Sequence, residues 1–280
     1  MAIKEIVTDS LKYPLSDWKK ILILGIIIFA IRTARSSDYL DVTNVVAIGI
    51  LLIFAFIIGF LVNGYLFRIL KSSLDDLTEL PKFDNWIEMF HDGVRVFLVG
   101  VVYFLPIILF LLYLMIVFPE NLIFSGLELN SLVINTLHSQ IDVFILNSVL
   151  TLGLFLPTIE FSYVQLILEI IYPLIVTPLF LMALTNMANY DDGLISAFRF
   201  REILDEIKCI GWMNLITWYV VVGIIYFILF FTVPALIYTF SFQFNMELVN
   251  NIVGMFFSLV LYPYLYIFFA RAVALIYISE

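Results

Sequence analysis

The sequence predicts an all-α integral membrane protein. Six transmembrane helices form three hairpins, each preceded by a cytoplasmic interfacial amphipathic helix, with both termini cytoplasmic. Three observations carry this prediction. Long apolar stretches lie at 21–31, 43–67, 96–118, 163–187, 211–232 and 250–272. The basic residues fall almost entirely on one side of those stretches. Amphipathic segments with helical spacing precede the first, third and fifth of them.

The apolar content excludes a water-soluble fold. Of 280 residues, 63% are hydrophobic and 13% charged, where a soluble domain carries about a quarter charged. Mean hydropathy is +1.09. Backbone polar groups in hydrocarbon must be satisfied internally, and the alternating strands of a membrane barrel are missing from the sequence, so the spans read as helices. The first run, Ile21–Ile31, is short enough for a signal-peptide core, but Glu5, Asp9 and Asp17 make a poor basic leader. It reads as an uncleaved helix from Trp18 to about Ser36, with Arg32 and Arg35 snorkelling to the outer headgroups.

Basic residues set the orientation. Lys4, Lys12, Lys19 and Lys20 precede the first helix; Arg68, Lys71, Lys82 and Arg95 lie between the second and third. Arg199, Arg201 and Lys208 lie between the fourth and fifth, and Arg271 closes the sixth. Only Arg32 and Arg35 fall opposite. The chain therefore reads as one multi-pass domain of the cell membrane, in units 1–75, 76–190 and 191–280. Residues 119–161 carry no Lys or Arg and read as an external insertion; the apolar Val143–Pro157 within it reads as re-entrant or interfacial.

The amphipathic segments differ in clarity. Phe83, Trp86, Ile87, Phe90, Val94 and Phe97 share a helical face opposite Asp84, Asn85, Glu88, Asp92 and Arg95. Phe200, Ile203, Leu204, Ile207 and Ile210 oppose a charged face in the third unit, and Ile3, Ile6, Val7 and Leu11 do so in the first. Phe83, Trp86, Phe90, Ile203 and Ile207 are the expected interfacial anchors. Mixed charge on the polar faces argues against a dedicated anionic-lipid binder. These helices either sense lipid or gate a cavity, or they anchor helix ends and cover the cytoplasmic face.

Particular residues carry a resemblance. Ser10 to Lys20 with Leu22–Gly25, Gly64-Tyr-Leu-Phe-Arg68, Glu79-Leu-Pro-Lys-Phe-Asp-Asn-Trp86, Phe90–Gly93, Gly100–Tyr103 and Met187–Phe198 together resemble an archaeal membrane family, domain of unknown function 4013. The resemblance covers most of the chain outside 119–160. It implies a multispan membrane protein and brings no catalytic residues. At fold level, the alternation of interfacial helix and hairpin also resembles the membrane domain attached to some glycerophosphodiester phosphodiesterases.

Candidate polar sites within the spans are few. Glu169, with Gln165 before it, either faces a cavity in the fourth helix or ends a surface helix at the outer interface. An acid at the bilayer centre costs on the order of 2.5–3.5 kcal/mol, so such residues often mark ion paths. Asn63 and Arg271 are weaker candidates, the first for bridging helices and the second for snorkelling. Tyr172-Pro173 and Tyr262-Pro263 recur at similar places in two helices. His91 beside Asp92 reads as solvated, and the lone Cys209 as a small apolar residue.

No HExxH, GxSxG, Walker-type or GxGxxG pattern occurs in the sequence. An enzyme is not expected, nor a metal or cofactor. The net charge of −9 points away from nucleic acid. The expected partners are membrane lipids and another membrane subunit or a second copy. The expected role is a structural or interaction protein; the alternative is a transporter or channel for a small solute or ion.

Overall fold

The computed structural model describes residues 2–35, 45–110, 171–190, 193–244 and 247–279. Every regular element among them is helical. In chain order these are α1 (Ile3–Lys12), α2 (Trp18–Arg35), α3 (Val45–Leu74), α4 (Trp86–Tyr103), α5 (Tyr172–Tyr190) and α6 (Phe200–Ile210). They continue with α7 (Trp212–Phe227), α8 (Val233–Gln243), α9 (Glu247–Phe256) and α10 (Tyr262–Tyr277). Among the described residues, three helical stretches are long and apolar enough to cross a bilayer: Gly49–Leu74, Trp212–Ile237 and Asn251–Tyr277. The external insertion at 119–161, with Val143–Pro157, lies outside the described residues.

The first and third units separate their leading helix from the helix that follows. After α1, a single tight turn (Tyr13–Ser16) leads to Asp17 in extended conformation. The Asp17 carboxylate accepts the backbone N–H of Lys19 at 3.0 Å and of Lys20 at 3.3 Å. This cap satisfies two of the donors that a helix start leaves open. After α6, Gly211 takes φ +89° and the chain turns into α7. The α2 limits match the sequence expectation, and Ile21, Leu24, Ile28 and Ile31 form its buried face.

The second unit differs from expectation. Its amphipathic stretch is not a separate interfacial helix but the first half of α4, which runs unbroken to Tyr103. Nothing between Phe90 and Phe97 breaks the ladder. The interruption comes at Phe104, two residues before Pro106, which has no N–H to give.

Helix α4 packs antiparallel on α3 through a reciprocal pair of glycines. A Cβ at Gly64 would land on the Met89 carbonyl, and one at Gly93 on the Phe60 carbonyl. Phe56, Phe60, Phe90 and Phe97 fill the flank with edge-to-face contacts at 4.8–5.7 Å, a geometry that favours aromatic rings. Gly25 of α2 meets a different kind of carbonyl. Pro263 has no N–H for Leu259, four residues before it, and the helix widens into a π-turn over Phe257–Leu261. Gly25 packs directly on the Leu259 carbonyl, where no Cβ would fit. Such close approaches are how small residues join membrane helices.

At the end of the bundle where α1 lies, α10 is buried through its last four turns, from Leu265 to Tyr277. Gly93→Leu is expected to lower the melting temperature in detergent, by an overpacking cost of about 1–3 kcal/mol. Gly49→Ala, where a Cβ meets nothing within 4 Å, is expected to leave it unchanged.

Candidate functional site: a buried arginine and the segment it holds

Helix α3 ends in a paired turn. The Leu77 N–H donates to the Ser72 carbonyl at 3.0 Å and the Asp76 N–H to the Ser73 carbonyl at 3.2 Å. This is the Schellman arrangement, whose reversing residue must be left-handed. That residue is Asp76, at φ +55°, in a conformation costly for a side chain with Cβ. The chain then runs without regular structure to Asn85, also left-handed at φ +47°, and enters α4.

An irregular backbone exposes carbonyls that no helix satisfies, and here side chains from three helices and the first turn supply the donors. Arg271 of α10 donates to the Leu77 carbonyl at 3.0 Å. The Tyr13 hydroxyl donates to Glu79 at 3.2 Å and the Lys20 ammonium to Leu80 at 2.6 Å. The Tyr65 hydroxyl donates to Pro81 at 3.1 Å. Arg68 donates to the Asp84 carbonyl at 2.6 Å and the Asn85 carbonyl at 3.1 Å, and pairs with Glu88 at 3.3 Å. Phe83 is stacked on Tyr65, with ring centroids 3.8 Å apart.

Arg271 is the centre of this arrangement. Its side chain is 2% exposed. Its Nε donates to the Asp9 carboxylate at 3.0 Å, and a terminal nitrogen lies 3.7 Å from Asp76. The guanidinium sits over the Tyr13 ring, 4.8 Å from its centroid. Tyr264, two turns earlier on α10, donates to the Leu11 carbonyl at 2.6 Å. Helix α1 is thereby fastened to α10 twice. Arg271 does not snorkel; it is covered by α1 and the 75–85 segment.

A second irregular segment is held the same way. Gly193–Phe198 forms a short 3-10 stretch before α6. Asn186 of α5 donates to the Ser196 carbonyl at 2.8 Å, and Tyr277 of α10 donates to the Asn186 side-chain oxygen at 3.2 Å. The Tyr103 hydroxyl donates to Ala197 at 2.9 Å.

Of the residues singled out from sequence, Gln165 and Glu169 lie outside the described residues. Asn63 is buried in α3, next to the Gly64 crossing, and is not part of the Arg271 cluster. Ile203 and Ile207 are fully buried and hold α6 to the helices beneath it. Phe90 is packed edge-to-face on Phe60, and Trp86 is half-exposed at the start of α4. Arg32 lies over the Tyr262 ring at 4.8 Å. An open groove of about 680 Å³ runs along the first turns of α4, lined by Trp86, Ile87, Glu88, His91, Asp92 and Arg95. Burial pushes the Asp92 carboxyl up, opposed by Arg95 beside it at 3.3 Å.

Sequence reasoning missed Tyr13, Lys20, Tyr65 and Arg68 as holders of the segment. All four stand inside the blocks that carried the family resemblance. A family model, described as a protein of unknown function (DUF4013), matches residues 47–238. The chain belongs to the DUF4013 family. No curated protein and no solved structure matches it. The matched region contains Tyr65, Arg68 and the whole 75–85 segment, while Asp9, Tyr13 and Arg271 lie outside it.

At Asp17, slight burial raises the carboxyl, but hydrogen bonds from Lys20 and Lys19 and the Lys20 charge hold it below its ordinary 3.8. Its contribution to stability is therefore present above the ordinary value and lost as pH falls through the lowered one. Asp17→Asn, which keeps a capping oxygen, is expected to flatten that acid dependence in melting curves. Arg271→Met is expected to destabilise by about 1–3 kcal/mol, the cost of leaving buried acceptors unmet, and to speed proteolysis within residues 1–17. Asp76→Gly removes the left-handed strain and is expected to hold or raise the melting temperature, whereas Asp76→Val is expected to lower it.

Proposed function

We propose that this DUF4013 protein is a structural or interaction protein of the cell membrane and not an enzyme. In this reading its six spans form three hairpins, with both termini on the cytoplasmic side. The observation that carries it is the carbonyl-by-carbonyl fastening of the 75–85 segment by Tyr13, Lys20, Tyr65, Arg68 and Arg271. Buried polar and charged groups are engaged in holding a surface in one shape. That surface presents the carboxylates of Asp76 and Asp84, 85% and 61% exposed, beside Glu88 at 67%. A fixed acidic platform beside an apolar bundle suits a membrane-associated partner subunit or a second copy, with lipid covering the helix flanks. In a transporter, by contrast, polar groups and broken helices meet near the midplane.

The test is to reconstitute the full chain in lipid nanodiscs and proteoliposomes. Cross-linking is expected to recover a partner or second copy at fixed stoichiometry, reduced at least tenfold by joint Asp76→Lys, Asp84→Lys and Glu88→Lys. Solute or ion flux in proteoliposomes that disappears in Glu169→Leu would overturn the reading in favour of transport.

A further inference from the structure

We infer that Trp18, Trp86 and Trp212 seat one end of the bundle in a single lipid headgroup layer. The inference rests on the membrane reading above and names the surface that this end meets. The sequence holds four tryptophans. Three of them are the first residues of α2, α4 and α7, and the fourth, Trp218, is fully buried. The three are exposed to almost the same degree, 52%, 46% and 48%.

Each follows a backbone break of a different kind. Trp18 follows the extended Asp17 cap, Trp86 the α-left-handed Asn85 at φ +47°, ψ +55°, and Trp212 follows Gly211 at φ +89°, ψ +124°, outside the α-left-handed well. No shared local motif therefore explains why tryptophan recurs at the first helical position. The shared feature is position. Lys20 of α2 and Arg68 of α3 fasten the segment that leads into α4. Arg271 ties that segment to the end of α10, and Tyr277 ties α10 to the end of α5, from which α6 and α7 follow. All three tryptophans thus mark the same end of the bundle.

The chemistry of the surface follows from the neighbours. Beyond Trp18 and Trp212 the outward residues turn apolar within about two turns, with Leu22, Ile23 and Ile26 on α2 and Ile216 and Val220 on α7; on α4 the exposed Glu88, His91 and Arg95 come first, and the outward face turns apolar from Leu98 and Val102. Charged pairs cluster around these helix starts: Lys20–Asp17 straddles Trp18, Arg68–Asp84 lies just before Trp86, and Lys208–Asp205 precedes Trp212. A half-exposed indole set among charged groups at the start of a helix whose outward face turns apolar further along matches the headgroup level of a bilayer, where its ring is apolar and its N–H finds ester and water acceptors.

The full chain is reconstituted in phosphatidylcholine vesicles brominated at either shallow or deep acyl carbons, and tryptophan emission is read. In variants that keep one of the three tryptophans and carry phenylalanine at the others, each emission is expected to shift to the blue of tryptophan in water. Shallow bromines are expected to quench it more than deep ones, to the same ratio at all three positions. Because Trp218→Phe empties a buried site, a second set keeps Trp218 and carries Trp18→Phe, Trp86→Phe or Trp212→Phe singly. There each substitution is expected to remove a similar share of the quenchable signal and leave the Trp218 signal unquenched. Three different depth ratios would overturn the inference while leaving the membrane reading standing. So would a blue-shifted emission that bromines do not touch, which would indicate a protein cover. Failure of the chain to float with the vesicles would overturn both.

Discussion

The buried guanidinium of Arg271 is the constraint around which this end of the molecule is organised. A cation on an apolar helix costs about 2.5–3.5 kcal/mol in a membrane interior, and the usual relief is to reach for the headgroups. Arg271 is enclosed instead, so its charge must be met by protein. Asp9 supplies a carboxylate, Leu77 a carbonyl and Tyr13 a ring face. None of these lies on α10. The charge obliges α1 and the end of α3 to close over it. Those elements in turn present polar backbone that needs donors at that place. Each side of the contact removes the other's desolvation cost, which is the condition for a buried charge to be tolerated.

The same reciprocity appears at Gly193–Phe198, with neutral groups. There Asn186 and Tyr103 meet the carbonyls, and Tyr277 meets the Asn186 oxygen. Amide and phenol suffice because the segment is a short 3-10 stretch whose backbone satisfies part of its own demand. The 75–85 segment is longer and extended, with two left-handed residues. It draws on two arginines and a lysine, whose charge-assisted hydrogen bonds are about twice as strong as neutral ones. The size of the donor set follows the amount of orphaned backbone.

The helical class was legible because it rests on composition. Local chemistry was legible too. The α2 limits follow from the apolar run after Trp18, and the buried face of α6 from the spacing of Ile203, Ile207 and Ile210. The Arg271 cluster was not legible, because its pairing joins residues at opposite ends of the chain, and one-dimensional patterns carry no such contact. Arg271 two turns from the end of an apolar run reads as snorkelling, and only packing shows otherwise. Lys20 and Arg68 were visible as cytoplasmic bases, and Tyr13 and Tyr65 only as members of the resemblance blocks, because their targets are backbone carbonyls, which every residue has. The unbroken α4 was missed for a different reason. Amphipathicity reports which face is apolar, not where a helix stops, and the stop came from Pro106, beyond the amphipathic stretch.

That unbroken helix also explains why the second unit departs from the other two. In the first and third units a separate leading helix covers the bundle end, and a sharp break is needed to turn the chain into the following helix. Asp17 and Gly211 supply those breaks. In the second unit the cover is the extended 75–85 segment, which lies across Tyr13, Lys20 and Tyr65 before α4 begins. No leading helix remains to be turned, so α4 carries its amphipathic half straight into the Gly64–Gly93 crossing. A break there would pull Met89 and Gly93 out of register with Phe60 and Gly64, and the two carbonyl contacts of that crossing would be lost together. What the three stretches share is therefore a cover at the bundle end followed by a helix, and not one secondary structure.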